Sequence, residues 1–257
     1  MNLEISPDLI SFLCTVDHAA VLTGAGISAE SGIPTFRAAQ TGLWAQYRPE
    51  DLATPQAFRR NPGLVWEWYA WRRLLVKNAQ PNPGHLALVK LGTFFKKFAL
   101  ITQNVDSLHQ RAGSQQVIEL HGNISRIKCA NEGVEISNLE GLDGSPPLCP
   151  SCGGPLRPDV VWFGEMLPSH ALNQAIQAAE NCQVFFSIGT SSTVEPAASL
   201  PYIALDHGAR IIEINPDRTK LTSSVHSFLQ GNAGDILPAI CEAIMPFGGF
   251  PAGSGNS

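Results

Sequence analysis

Short apolar runs alternate along this chain with longer stretches whose apolar positions recur at helical spacing. The first run, His18-Ala19-Ala20-Val21-Leu22-Thr23, meets Gly24-Ala25-Gly26-Ile27-Ser28, which predicts a strand entering a tight glycine turn. Residues 98–102 predict a second buried strand, and residues 117–120 a third that stops at His121-Gly122. Residues 184–188 and 210–214 predict two more. Between them, residues 51–77, 170–180, 200–207 and 236–245 read as helical. Asn61 then Pro62 supplies an N-cap with proline at the first helical position, and the aromatic-rich segment Val65-Trp66-Glu67-Trp68-Tyr69-Ala70-Trp71-Arg72 follows. Short apolar strands separated by helices predict an α/β fold with a mostly parallel sheet covered on both faces.

Residues 123–160 break this rhythm. They are rich in Gly, Pro, Asn and Cys and weakly periodic, the pattern of a small inserted module needing support beyond its own core. At 257 residues the chain accommodates such a module beside a main domain. Lys plus Arg number 17 against 22 acidic residues, and no basic block offers a phosphate-binding stripe, so no nucleic-acid partner is expected. No apolar run reaches membrane-spanning length, and the first residues lack a secretory pattern; no membrane partner is expected and the cytoplasm is the expected compartment. Of six cysteines, only Cys149 and Cys152 form a close pair, which suits a reduced protein; Cys14, Cys182 and Cys241 are expected in the core. Residues 248–257 (GGFPAGSGNS) read as a flexible tail. No heptad sets an oligomeric state, and a monomer is assumed.

Several residues carry candidate chemistry. A glycine turn directly after a strand lets backbone approach a phosphate, although position 29 is alanine where a dinucleotide fingerprint has its third glycine, and a plain strand–turn–helix junction reads equally well. Gly189-Thr190-Ser191-Ser192 and Glu213-Ile214-Asn215 end two further strands, where open α/β sheets bind ligands; Asn215 suits a ribose hydroxyl or simply a turn. His121 is a general-base candidate or a half-exposed turn residue. Tyr69 and Arg72 share a helix face at i,i+3, for packing and solvation or for gripping an anion. Cys149-x-x-Cys152 has metal-knuckle spacing, with Cys129 upstream.

In order along the chain, Gly24-Ala25-Gly26-Ile27-Ser28, Gly32-Ile33-Pro34-Thr35-Phe36-Arg37, Thr102-Gln103-Asn104-Val105-Asp106-Ser107-Leu108-His109, His121-Gly122, Phe163-Gly164-Glu165 and Gly189-Thr190-Ser191-Ser192 match motifs of the sirtuins. The chain resembles that family over roughly residues 15 to 240. The resemblance implies a Rossmann-like parallel sheet domain (1–37, 98–122 and 161–247) and a smaller domain made of a helical insertion (38–97) and a zinc-ribbon-like module (123–160). It implies an NAD-dependent protein-lysine deacylase yielding nicotinamide and 2′-O-acyl-ADP-ribose. By the same resemblance His121 is the general base. Gly24, Ala25, Gly26 and Glu30 line the cofactor turn, and Phe36 and Arg37 cover the cofactor. Gln103, Asn104 and Asp106 hold the nicotinamide ribose and amide, while Gly189, Thr190, Ser191 and Asn215 contact the adenosine half. The acyl-lysine substrate lies as an extended strand between Val161-Trp162-Phe163-Gly164 and the segment around Val194-Glu195.

Tyr-x-x-Arg at Tyr69 and Arg72 resembles the desuccinylase and demalonylase subgroup, where the pair recognises a terminal carboxylate; succinyl, malonyl and glutaryl are the implied groups. Small residues Ala38, Ala39 and Ala45 would leave room for a longer acyl chain. The alternative is a deacetylase or a long-chain deacylase. The family's zinc pattern pairs two cysteine knuckles, and here glutamate stands in the fourth place. Cys129, Cys149 and Cys152 with Glu132 give a chemically acceptable structural zinc set, against the reading that the metal is lost.

Overall fold

A computed structural model describes residues 5–35, 46–138, 140 and 143–247. Its strands are β1 (His18–Thr23), β2 (Lys97–Thr102), β3 (Val117–Glu119), β4 (Gly122–Cys129), β5 (Leu156–Val160), β6 (Val184–Ile188), β7 (Arg210–Asn215) and β8 (Ser227–Gln230). Its helices are α1 (Pro7–Leu13), α2 (Ala25–Ala29), α3 (Pro49–Leu52), α4 (Pro55–Arg60), α5 (Pro62–Asn78), α6 (Pro83–Phe94), α7 (Leu108–Ala112), α8 (Ser169–Asn181), α9 (Leu200–Asp206) and α10 (Ala233–Ile244).

Six strands form one sheet in the order β3-β2-β1-β6-β7-β8, every neighbouring pair parallel. The central strands β1 and β6 are almost wholly buried, which is why they read as unbroken apolar runs rather than alternating ones. One face packs on α1, α6 and α10 through Leu9, Leu88, Leu91, Ile236 and Ile240; the other packs on α8 and α9 through Ala175, Ala179, Leu200 and Ala204. So α6, although within residues 38–97, contributes to the core of the sheet.

Residues 49–94 are punctuated by proline. Each of α4, α5 and α6 begins with proline in its first turn, behind a side-chain cap: Thr54 Oγ1 accepts from Ala57 N–H at 3.0 Å and Asn61 Oδ1 from Leu64 N–H at 3.1 Å. At α6, Asn82 Oδ1 accepts from Gly84 and His85 N–H while His85 Nδ1 accepts from Asn82 N–H, a reciprocal cap. The stretch 51–77, expected as helical with a capped start at Asn61-Pro62, holds the end of α3, all of α4 and most of α5, and α5 does begin at that cap. Trp68, Tyr69 and Val65 of α5 join Leu52, Phe58, Leu108, Ile124 and Trp162 in a second core.

The segment expected to lack pattern holds β4 and β5, an antiparallel pair in a separate two-stranded sheet. Ile127, Cys129, Cys149 and Leu156 form its small core, with Trp66 of α5 against it. Cys182 and Cys241 are buried as expected; Cys14 is not, because it follows α1 on the solvent side. No described helix is long and apolar enough to cross a membrane.

Candidate active site

The crevice of an open parallel sheet lies beyond the carboxyl ends of its strands, where successive connections leave in opposite directions. Here that point lies between β1 and β6. Their exit turns touch: Gly26 N–H donates to the Gly189 carbonyl at 2.9 Å. A Cβ on Gly24 would stand 2.7 Å from the Gly189 oxygen, and one on Gly26 would stand 2.7 Å from Gly189 Cα. Gly189 has φ +59°, and a Cβ there would lie 2.6 Å from Ile27 N. All three glycines are thus required by this contact. Ala29 at the end of α2 is exposed, so no close approach demands a third glycine there.

Past β2, two polar side chains are buried against this junction. Asn104 Nδ2 donates to the Gly24 carbonyl at 3.0 Å and to Ser28 Oγ at 3.1 Å. Asp106 Oδ1 accepts from Leu108 N–H at 2.9 Å. Burial pushes the Asp106 carboxyl above its usual pKa, against the pull of that N–H, the Ser28 hydroxyl and the positive charges of Arg72 and Arg111. Gln103 is half-buried, and its carbonyl stands 3.0 Å from His121 Nδ1.

A carbonyl oxygen only accepts, so His121 Nδ1 carries the proton and Nε2 keeps its lone pair. Burial lowers the His121 pKa, opposed by that hydrogen bond, so the ring is neutral near pH 7. Gly122 explains the turn that presents this histidine: its φ is +76°, and a Cβ there would stand 2.2 Å from the Asp159 carbonyl. Val161 N–H donates to the His121 carbonyl at 2.9 Å, tying the turn to the segment after β5.

That segment is held from below. Arg157 grips Glu165 bidentately at 2.6 and 2.9 Å and lies 3.3 Å over the Trp162 ring, while Glu165 Oε2 also accepts from Trp162 N–H at 2.8 Å. Phe163 N–H reaches the Ala53 carbonyl at 2.9 Å, and Gly164 has φ +86°. Glu165 thus shapes residues 162–165, and Arg157 is a partner that the sequence reading passed over. Trp162 Nε1–H donates to Tyr69 Oη at 3.0 Å, leaving the Tyr69 O–H to donate elsewhere.

Arg72 sits one turn further along α5. It is only 9% exposed, its guanidinium lies 5.2 Å from the Trp68 ring centre, and its buried Nη1 has no hydrogen-bond partner among the described residues. Burial pulls its pKa below the usual value, with Tyr69 and Asp106 working in the opposite sense.

The remaining expected residues divide. Thr190 Oγ1 pairs with Ser187 and Ser192, and Asn215 Nδ2 spans to the carbonyls of Thr190 (3.4 Å) and Asp217 (2.9 Å), so the β6 and β7 exits are tied together. Ser191 and Val194 are exposed; Ser191 Oγ bonds Thr193, and Glu195 accepts from Ser199. Glu30, expected beside the cofactor, accepts from Gly234 N–H at 2.7 Å, at the first turn of α10. Phe36, Arg37, Ala38, Ala39 and Ala45 lie outside the described residues, as does the tail.

Away from the crevice, ligand atoms of Cys129, Glu132, Cys149 and Cys152 all lie within 4.8 Å of one another, and the Cys129 and Cys152 sulfurs are 3.4 Å apart. The backbone N–H groups of Cys152 and Ser151 lower the Cys149 thiol pKa, the behaviour of a metal knuckle. Zn–S bonds of about 2.3 Å in a tetrahedron put sulfurs roughly 3.8 Å apart, so the set fits that ion.

The profile of the Sir2 family matches residues 24–196. The NAD-dependent protein deacylase of Aquifex aeolicus is 57% identical over 206 residues, covering 80% of this chain and 86% of that protein. A crystal structure of a Sir2 homologue in complex with NAD superposes with TM-score 0.87 at 45% identity, covering 95% of each chain. A Sir2 complex with a p53 peptide and NAD+ gives TM-score 0.82 at 31% identity, covering 93% of this chain and 98% of that one. With its profile spanning most of the chain and its fold matched end to end, the chain belongs to the Sir2 family.

Proposed function

We propose that this chain is an NAD-dependent protein-lysine deacylase whose acyl pocket favours a terminal carboxylate, as in succinyl-, malonyl- or glutaryl-lysine. The deacylase activity itself is supported by the family, by the deacylase relatives and by the similarity to NAD and peptide complexes. The acidic preference rests on one observation: Arg72 Nη1 is buried without a hydrogen-bond partner among the described residues, one helical turn from a tyrosine hydroxyl whose proton is free to donate. A carboxylate accepting from both would satisfy the guanidinium and be held bidentately.

The crevice suits NAD. The glycine contact leaves only backbone at the β1 and β6 exits, and Asn104 and Asp106 are buried polar groups beside it. When bound, NAD supplies a ribose carbon from which nicotinamide departs and a ribose that carries the acyl group away. Asn104 and Asp106 orient that ribose and amide. His121 Nε2 takes a proton from the ribose diol, and Gln103 holds the opposite nitrogen so that the lone pair faces the reaction. Residues 161–164 and 193–195 receive the substrate main chain as an added strand, with Phe163 and Val194 exposed along it. Cys129, Cys149, Cys152 and Glu132 would hold a structural zinc ion that steadies the β4–β5 module.

A deacetylase reading is favoured by Trp68 and Asp106, which give Arg72 a ring and a nearby charge without any ligand. Measuring kcat/KM on one lysine peptide carrying succinyl, acetyl or a long acyl chain decides between them. Acetyl leaves the guanidinium unpaired, so succinyl should win by about 10²-fold, roughly 2.7 kcal/mol, and Arg72→Met should erase the difference. If acetyl wins and Arg72→Met changes little, the carboxylate pocket is wrong.

A further inference from the structure

The His121–Gly122 turn is bracketed by one charge network. Glu119 closes β3, two residues before His121. Its Oε1 accepts from Gln110 Nε2 at 2.8 Å and Asn123 Nδ2 at 2.7 Å, and its Oε2 accepts from Arg126 Nη1 at 2.8 Å. Arg126 Nε continues to Asp159 Oδ2 at 3.0 Å, and Lys128 Nζ takes the other Asp159 oxygen at 2.9 Å. Asp159 meets the turn twice, because its carbonyl is the atom that walls Gly122.

The pairing of β4 with β5 breaks at this place. Asn123 pairs with Asp159 and Ile127 with Pro158, so residues 124–126 are looped out. Bulges beside active sites re-aim the residues around them. Arg126 lies in the bulge and fastens it both to β3 of the large sheet and to β5. The side chains of Glu119, Asp159 and Arg126 are 15%, 26% and 35% exposed, so solvent screens this network less than an ordinary surface pair.

We infer that Glu119, Arg126 and Asp159 form a positioning clamp that fixes the His121–Gly122 turn relative to the Gln103 carbonyl. The inference rests on reading His121 as the general base. The clamp holds the chain on both sides of the turn, so its release lets the imidazole drift from the carbonyl that sets its tautomer. Displacement by about 1 Å costs on the order of 10²-fold in rate.

The test compares Arg126→Met, Arg126→Lys and His121→Ala with the full-length enzyme. It follows kcat, KM for NAD, the pH profile of kcat and the thermal melt. Arg126→Met should lower kcat by roughly 10- to 10²-fold while KM for NAD stays within about twofold. The acidic limb of its profile should move down, because drift from the Gln103 carbonyl removes the contact that holds the His121 pKa up against burial, and Arg126→Lys should recover part of the rate. An Arg126→Met enzyme that melts lower but keeps kcat and its acidic limb overturns the clamp, leaving only a structural ion pair. If His121→Ala is inactive and Arg126→Met is normal, the clamp alone falls. A fully active His121→Ala enzyme refutes the base and the clamp together.

Discussion

Lowering the pH from 7 to 5 should destabilise this fold through two imidazoles outside the proposed chemistry. His85 and His109 are 0% and 1% exposed, with ring centres 4.9 Å apart. His109 Nε2 bonds Thr23 Oγ1 at 2.8 Å, yet His109 Nδ1 and His85 Nε2 are buried without partners among the described residues. Burial lowers their pKa values to about 4 for His85 and about 3 for His109, the latter lowered further by His85 itself. Both are neutral in the native state, whereas the unfolded chain binds protons near pH 6.5. Stability is therefore intact above pH 6.5 and falls with pH until the folded values are reached. At pH 5 each histidine removes about 2 kcal/mol, roughly 4 for the pair, a large share of the 5–15 kcal/mol typical of folded proteins. His121, also lowered, adds in the same direction, while Asp159 and Glu165 act in a more acidic range. Urea titrations at pH 7, 6 and 5, followed by tryptophan fluorescence, measure this loss. A His85→Gln/His109→Gln variant should lose roughly 4 kcal/mol less than the wild type over that interval. Equal losses in the two proteins would refute the reasoning, whatever their stabilities at pH 7.

Two other expectations follow from the geometry. Gly122→Ala must leave a left-handed conformation and escape the Asp159 carbonyl, so it should cost about 2–4 kcal/mol in a denaturant titration and lower kcat further than Gly133→Ala, which meets nothing. A chelator should lower the melting temperature through the β4–β5 module, and Glu132→Cys should retain zinc against a higher chelator concentration, read as metal content after dialysis. Unchanged melting with a metal-free protein would remove zinc from the account.

The strands legible in the sequence were those with unbroken apolar runs, among them the half-buried β2 and β3. β1, β6 and β7 lie in the sheet centre and read directly as apolar runs. β8 escaped because Ser227, Phe228 and Leu229 are only half-buried at an edge, and α6 because a capped proline start was lost among several others. β4 was hidden by its bulge, which breaks the two-residue period. At the site, glycines and histidine could be named from motifs, but their reasons could not: the demand at Gly24 and Gly26 comes from Gly189, far along the chain. Glu119, Arg126 and Asp159 read as solvated charges until β3, β4 and β5 bring them together.

The order of the sheet also bears on how the chain acquires its fold. The central strand β1 emerges first from a ribosome, but Ala19 pairs with Val184 and Ala20 with Phe185. Contacts so distant in sequence are slow to form, because a long loop must close before they reward it. During synthesis β1 can pair with β2 on one side only, and the backbone N–H and C=O groups of its other edge wait unpaired, beside apolar side chains on both faces, until β6 has been made. The nascent chain is most exposed to association with other chains in that interval, so substitutions that change how readily the open edge of β1 pairs with another strand should act on yield before they act on activity.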